Sequence, residues 1–350
     1  MTINGSDGSD GSLQFLTPKN GQWVKQPATE ARIRGSGKPS VEAPHKPLPE
    51  AEPLELTDIP GAMRKMGWYY SGALLDKWFS YSPKNQAETS FQKAFGYKKD
   101  GSGVYPADRI DRDTIKLDWI LSFPRAKEAF EKLKTDKILI NINAMRRLDA
   151  IMPQYATNKY QAPFLDVWQM CKGDIQKIHN HFQFQLAPVD TSAIEKAETY
   201  IRNPDDLAGA LGGFSFYAAV AEARININFF DIDLIINKVF LYMKNPFSFY
   251  DDPSGGSQYL GHWSKDGVAL SGWSFLAQKA DIESWIDRPV QPEGPHGRTY
   301  WPVHNSDFRR WQNQHNAGGD MILFSEPRVF NINPIKLRFK KPKWSVDQYA

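Results

Sequence analysis

Two runs of β-prone residues decide the fold: FSFYAAVAEARINI at residues 214–227 and IDLIINKVFLYMKNPFSF at residues 232–249. Both are dense in the β-branched and aromatic residues that favour strands, and a break near Asp231 separates them. A polar turn at residues 251–256 closes the second run, and residues 259–263 begin a third strand. We therefore expect an antiparallel sheet in the second half of the chain.

Helical spacing of apolar residues predicts helices on both sides of these runs. They are expected at residues 63–81, 124–134, 144–152 (capped by Asn143), 191–202 and 205–212, and from the cap Ser306 to Gly318–Gly319. Further strands are predicted at residues 137–141, 182–186, 321–325 and 334–341. The fold class is therefore α+β, a helical first half followed by a mostly antiparallel, twisted β-sheet or half-barrel.

Composition divides the chain into three parts. Residues 1–60 hold eight prolines and six glycines, so we predict a disordered Gly/Ser/Asp- and Pro-rich tail there. Residues 61–123 are predicted to be an aromatic-rich helical lead-in, whose aromatic side chains form a core seam rather than a ligand cage. Residues 124–345 are predicted to form the α+β domain.

Charge and hydropathy exclude several classes of protein. The longest nearly apolar stretch, residues 209–221, is shorter than the roughly 20 residues that a membrane-spanning helix needs, so no transmembrane helix is expected. A net charge of +3 on 350 residues is too dilute for a nucleic-acid partner. The first residues predict no signal peptide, hence a cytoplasmic location in the producing cell, and any secretion would proceed without one.

His179 and His181 are the first candidate metal ligands. If residues 179–186 form one strand, both imidazoles lie on the same face and could hold a divalent metal. The alternation of Phe182 and Phe184 with glutamines places the histidines on the polar face, where a solvated pair is the competing interpretation.

Cys171 is the single cysteine, which excludes an internal disulfide and a multi-thiolate zinc site. It precedes Lys172 and a predicted helix, so its thiol could be a nucleophile. The competing interpretation, favoured by the neighbouring Trp168 and Met170, is a small buried apolar side chain.

The densest group of polar side chains lies at turns of the predicted sheet. Its candidate catalytic residues are Asp251, Asp252, His262 and His304. Carboxylates beside imidazoles can activate water or bind a divalent metal. The same residues also suit an ordinary turn followed by a capped helix, and this alternative stays open.

The basic residues after Pro327 could touch an anionic membrane surface. The candidate contacts are Lys340, Lys341, Lys343 and Trp344. A solvated strand face explains the same pattern, because Lys336, Arg338 and Lys340 alternate with apolar side chains.

Four segments carry a resemblance to a known family: residues 164–174 (FLDVWQMCKGD), 209–219 (GALGGFSFYAA), 258–263 (QYLGHW) and 305–311 (NSDFRRW), the last followed by Gly318–Asp320. They resemble an uncharacterised proteobacterial family, a domain of unknown function often found near type VI secretion genes. The resemblance covers about residues 124–339. It implies an effector or accessory protein of a contact-dependent secretion system, with a secretion component or an immunity protein as partner.

Residues 247–252 (FSFYDD) are also similar to the Asp-x-Tyr-Asp signature of colicin M-like toxins, which cleave the lipid-linked peptidoglycan precursor. Ser248 stands where that signature has its first aspartate, and no His-Arg pair follows.

The leading hypothesis from the sequence is a type VI secretion-associated antibacterial toxin that acts on the cell envelope, as a hydrolase if it is an enzyme. The first alternative is a non-catalytic adaptor or binding protein of the secretion system. The second is a membrane-permeabilising protein.

Overall fold

The computed structural model describes residues 16–19, 22–25, 53–83, 106–156, 164–192, 204–251, 256–269 and 299–340. The chain forms two compact units, residues 1–50 and 51–350. In the first unit, strands β1 (Leu16–Lys19) and β2 (Gln22–Lys25) pair as an antiparallel hairpin. This hairpin lies in the predicted tail, whose other residues up to 52 lie outside the described residues. Disorder there stays a prediction, as do the boundaries at residues 60 and 123.

The described part of the second unit holds helices before and between its strands, and it ends with a strand. The helices are α1 (Ile59–Lys65), α2 (Tyr69–Ser80), α3 (Leu117–Leu121), α4 (Pro124–Leu133), α5 (Asp136–Leu139), α6 (Ile142–Ile151), α7 (Val167–Met170), α8 (Ile175–Phe182), α9 (Asp206–Leu211) and α10 (Asn305–His315). The strands are β3 (Ile110–Asp111), β4 (Phe164–Asp166), β5 (Gln183–Val189), β6 (Phe214–Ile227), β7 (Asp231–Phe247), β8 (Tyr259–Ser264), β9 (Gly267–Val268), β10 (Trp301–His304), β11 (Met321–Phe324) and β12 (Arg328–Lys340).

The strands of the second unit form two sheets. The large sheet has the order β3-β11-β7-β6-β4, with β12 also paired to β7 and β5 also paired to β6. Its pairs are antiparallel except for β3 with β11. The small sheet has the order β10-β8-β9. The predicted α+β class with a mostly antiparallel, curled sheet is confirmed.

The centre of the large sheet is buried on both faces. Phe216 and Tyr217 are neighbours on β6, so their side chains point to opposite faces. Phe130 of α4 contacts the Phe216 ring edge to face at 5.1 Å, and His179 of α8 contacts the Tyr217 ring at 4.8 Å. Helices therefore cover both faces, which explains why the central parts of β6 and β7, residues 216–221 and 239–243, are continuously apolar.

One edge of β7 serves two partner strands in turn. β12 pairs with residues 231–241 of β7, and β11 pairs with residues 244–247. Ser325 fills the gap between them, since its N–H donates to the Met243 carbonyl at 3.1 Å and its Oγ accepts the Met243 N–H at 2.9 Å. Pro334 lies at the register shift of β12 between Asn331 and Ile335, where its missing N–H is tolerated.

Two sequence predictions near residue 140 were wrong. Residues 137–141 are not a strand but include most of helix α5, because an apolar run this short does not distinguish the two structures. The next helix is capped by Asn141 rather than Asn143, since the Asn141 side chain accepts the amide hydrogens of Asn143 and Ala144. The helix predicted at residues 191–202 lies mostly outside the described residues.

The predicted aromatic core seam is confirmed around Trp78 of α2, which has no exposed surface. The Trp78 ring meets Phe249 and Phe308 edge to face, and its Nε1 donates to Asp320 Oδ1 at 3.0 Å. Gly318 lies against this ring with φ at +93°, and a Cβ atom there would be 2.6 Å from the indole. Trp78 thus joins α2 to α10 and to the segment before β11.

We expect Gly318→Ala to lower the free energy of unfolding by about 2–4 kcal/mol, because the methyl group meets a rigid indole and the backbone is left-handed. The matched control is Gly61→Ala in α1, where nothing lies within 4 Å of the new Cβ. It should instead stabilise the protein by about 0.5–1 kcal/mol. Urea denaturation measures both values, and equal effects of the two substitutions would contradict the packing described here.

Candidate functional site

The small sheet brings two of the predicted site residues together through a local irregularity. Tyr259 and His262 are three residues apart on β8, so a regular strand would place them on opposite faces. The pairing of β8 with β10 shifts register between Pro302 and His304, opposite Gly261, whose φ is +112°. As a consequence, the side chains of Tyr259 and His262 are close enough to form a hydrogen bond. His304 is the residue of β10 that pairs directly with Tyr259.

Tyr259 is the centre of this arrangement, which we call the Tyr259 cluster (Tyr259, His262 and His304). Its hydroxyl is hydrogen-bonded to His262 Nδ1, and its ring lies 5.5 Å from the rings of both histidines. Burial raises the pKa of Tyr259, so the phenol stays protonated at neutral pH and can donate its hydrogen. His262 is almost completely buried, whereas Tyr259 and His304 are half-buried.

His304 ends β10 and caps helix α10. The Asp307 carboxylate accepts the His304 backbone N–H at 2.8 Å and lies 3.8 Å from His304 Nδ1. This distance is too long for a hydrogen bond with the imidazole, and only a protonated imidazole would make a charge contact there. The prediction that Ser306 caps the helix was wrong, because His304 occupies that position and the Ser306 N–H donates to Ser257 Oγ.

The Asp251 side chain is held at the same end of the small sheet by a hydrogen bond to a backbone group. Its Oδ1 accepts the Gln258 N–H at 2.9 Å, and the Gln258 carbonyl accepts the Asn305 N–H at 3.0 Å. These bonds place Asp251 beside the Tyr259 cluster in the role of a turn residue. Asp252, the other predicted carboxylate, lies outside the described residues.

The structure separates the two predicted metal ligands. His179 and His181 lie in helix α8, not in a strand, because Asp174 caps a helix there by accepting the amide hydrogens of Gln176 and Lys177. Residues two apart on a helix point to nearly opposite sides. His179 is buried and His181 is exposed, so the pair cannot share a metal. Within the described residues, no group of three or more His, Cys, Asp or Glu could hold a metal ion.

His179 instead belongs to a buried polar chain with Lys244 and Tyr242 of β7. Lys244 Nζ lies 3.0 Å from His179 Nε2, and the Tyr242 hydroxyl lies 3.0 Å from His179 Nδ1. Burial, followed by the charges of Lys244 and Arg147, lowers the pKa of His179 to about 2. The neutral ring therefore accepts from the Lys244 ammonium and donates from Nδ1 to Tyr242.

The buried polar chain of Lys244, His179 and Tyr242 was not predicted from the sequence. Its partners are some 60 residues apart in sequence, so no local spacing reveals them. A usable signal was present in β7, where Lys244 directly follows the apolar run of residues 239–243 and alternates with Tyr242. A lysine in such a strand must be paired by a polar group from another element.

Cys171 does not have the environment of a nucleophile. The cysteine lies at the end of helix α7, and burial, together with the Asp174 charge, raises the pKa of its thiol. A raised pKa keeps the thiol protonated and unreactive. The alternative prediction of a small buried apolar side chain fits its exposure of 5%.

Comparisons with known proteins identify one relationship. A model of a protein family whose function is unknown matches residues 54–339. The predicted resemblance to an uncharacterised family is confirmed, and the match begins well before residue 124. No curated protein and no solved structure matches the chain.

We expect His179 to make the protein sensitive to mild acid. The unfolded chain protonates this residue below its usual pKa of 6.5, whereas the folded protein does not, so stability falls as the pH falls below 6.5. Between pH 7 and pH 5 the wild type should lose about 2 kcal/mol more than His179→Gln. Urea denaturation at the two pH values checks this difference, and equal losses would show that His179 is not held neutral.

Proposed function

The chain belongs to the DUF6402 family, a family of unknown function, and we propose that it is an antibacterial effector that hydrolyses a component of the cell envelope at the Tyr259 cluster. The observation that carries the proposal is the convergence of two imidazoles and a protonated phenol at one end of the small sheet, beside Asp251.

The members of the cluster suit different roles in hydrolysis. The His304 side chain is 14% exposed, so part of its imidazole is open to a water molecule. It is the candidate general base, and the Asp307 carboxylate at 3.8 Å stabilises the imidazolium that forms when water loses its proton. His262 has an exposure of only 1% and acts as a positioning residue, holding the Tyr259 hydroxyl through Nδ1.

Two expectations from the sequence support the envelope as the proposed site of action: the resemblance that implies a type VI secretion context, and the resemblance of residues 247–252 to the colicin M-like signature. The latter stretch contains Asp251, whose carboxylate accepts the N–H of Gln258, the residue before Tyr259. An adaptor of the secretion system and a membrane-permeabilising protein are the competing functions, and the experiment below separates them from a hydrolase.

We expect the full chain to reduce the viability of a test bacterium when it carries an added periplasmic signal and to be harmless without that signal. His304→Ala should restore viability by about 10²-fold or more, because loss of a general base costs a rate factor of about that size. The control is His181→Ala, which removes an exposed imidazole from helix α8 and should remain as toxic as the wild type.

Colony counts after induction measure viability, and circular dichroism of each purified variant confirms that it folds. Toxicity that is unchanged in folded His304→Ala would contradict the hydrolase, and dye leakage from the treated cells would then favour permeabilisation. If the wild-type protein is harmless both with and without the periplasmic signal, an envelope toxin is excluded and the adaptor is favoured.

A further inference from the structure

The turn between β6 and β7 exposes two adjacent aromatic side chains. The strands pair up to Ile227 and Ile232, and the turn is closed by a hydrogen bond from the Asn228 N–H to the Asp231 carbonyl at 2.9 Å. Phe229 is 84% exposed and Phe230 is 71% exposed. We call residues 227–231 the hairpin tip.

The turn itself does not require these aromatic side chains. Asn228 and Asp231 are residue types that favour turns, whereas phenylalanine contributes nothing to turn geometry. The rings of Phe229 and Phe230 contact each other edge to face at 4.6 Å, which shields little of either from water. Ile227, half exposed at 50%, enlarges the apolar surface of the tip. Contiguous exposed apolar surface of this kind marks an interaction site.

A further exposed aromatic side chain lies on the neighbouring strand β4. Phe164 is 48% exposed and pairs with Arg224 of β6, three residues before Ile227. The Arg224 guanidinium lies 5.5 Å from the centre of the Phe164 ring, so it has an aromatic contact. Arg224 therefore places an exposed cation beside an exposed aromatic ring on this side of the sheet.

The outermost charges beside the tip are positive. Strand β12 pairs with β7 as far as Lys340 opposite Asp231, and the side chains of Lys336, Arg338 and Lys340 are 54%, 57% and 84% exposed. The carboxylates they pair with lie deeper: the side chain of Asp233 is 8% exposed and that of Asp231 is 21% exposed.

We propose that the hairpin tip docks on an anionic lipid bilayer, with Phe229 and Phe230 inserted between the lipids and the cations of β12 and Arg224 at the headgroups. The charge pattern favours an anionic bilayer as the partner. The exposed ammonium and guanidinium groups attract a negatively charged surface, whereas the carboxylates beneath them are shielded from it. Short aromatic insertions combined with basic side chains are a common way to bind a membrane interface. The sequence predicts such a contact at Lys340, Lys341, Lys343 and Trp344; Lys340 lies at this end of the sheet, and the other three lie outside the described residues.

This inference does not depend on hydrolysis at the Tyr259 cluster. The test is co-sedimentation of the purified full chain with vesicles in which about a third of the lipid is phosphatidylglycerol and the rest is phosphatidylethanolamine. Vesicles of phosphatidylcholine alone provide the uncharged comparison. We expect the wild type to partition onto the anionic vesicles about tenfold more strongly than onto the neutral ones.

The double variant Phe229→Ser/Phe230→Ser should lose about tenfold or more of the partitioning onto anionic vesicles, since burying even one phenylalanine is worth that much. The matched control is Val329→Ser, which also removes an exposed apolar side chain from the sheet but pairs opposite Phe240, nine residues along β7 from Asp231. It should bind vesicles as the wild type does.

Because the substituted phenylalanines are mostly exposed, the unfolding temperature of the double variant should equal that of the wild type. Absence of wild-type binding to anionic vesicles, or equal binding of the double variant, would overturn the proposal. A wild type that elutes as a dimer in size-exclusion chromatography, with a monomeric double variant and no vesicle binding, would overturn it in favour of self-association.

Discussion

The antiparallel pairing of β6 with β7 is the contact on which the rest of the second unit depends. It runs from Ile227 opposite Ile232 at the turn to Ser215 opposite Lys244 at the other end. β4 and β5 add to the free edge of β6, and β11 and β12 add to the free edge of β7. Helices bury both faces, so these two strands provide both the hydrogen-bonding template and the centre of the core.

Two polar arrangements contain the histidines of interest, and burial separates their roles. The chain of Lys244, His179 and Tyr242 lies inside the core, and both nitrogens of its imidazole are engaged within the protein. Such a chain fixes one packing of α8 on the sheet, because any other position of the helix leaves a buried polar group unsatisfied. The Tyr259 cluster contains His304, whose side chain keeps 14% of its surface exposed. Reactivity is therefore expected in the small sheet and rigidity in the large one.

The sequence predicted the central strands well because their signal is long and local. The predicted bounds of β6 are those of the structure, and β7 differs by one or two residues at each end. The prediction for His179 was wrong because the alternating pattern of β5 was extended backwards into helix α8. The few residues involved do not distinguish the two-residue period of a strand from the 3.6-residue period of a helix.

The candidate site was predictable only in part. His262 and His304 stood out as polar residues at turns, but Tyr259, which joins them, depends on a register shift between distant strands. The turn role of Asp251 was among the alternatives, since Asp followed by Pro and Gly is typical of turns. Contacts between residues that are far apart in the sequence, such as Lys244 with His179, are set by tertiary packing and leave no local pattern.

The shared edge of β7 has a consequence for synthesis on the ribosome. The residues that cover this edge, 321–324 and 328–340, are translated well after residues 231–247. Until they emerge, β7 presents a long apolar strand with unpaired backbone groups, which is a template for pairing with other nascent chains. Because of this order of translation, we expect β7 to be the strand whose exposed edge most needs protection by chaperones. Slow elongation before β11 and β12 emerge would promote aggregation at this edge.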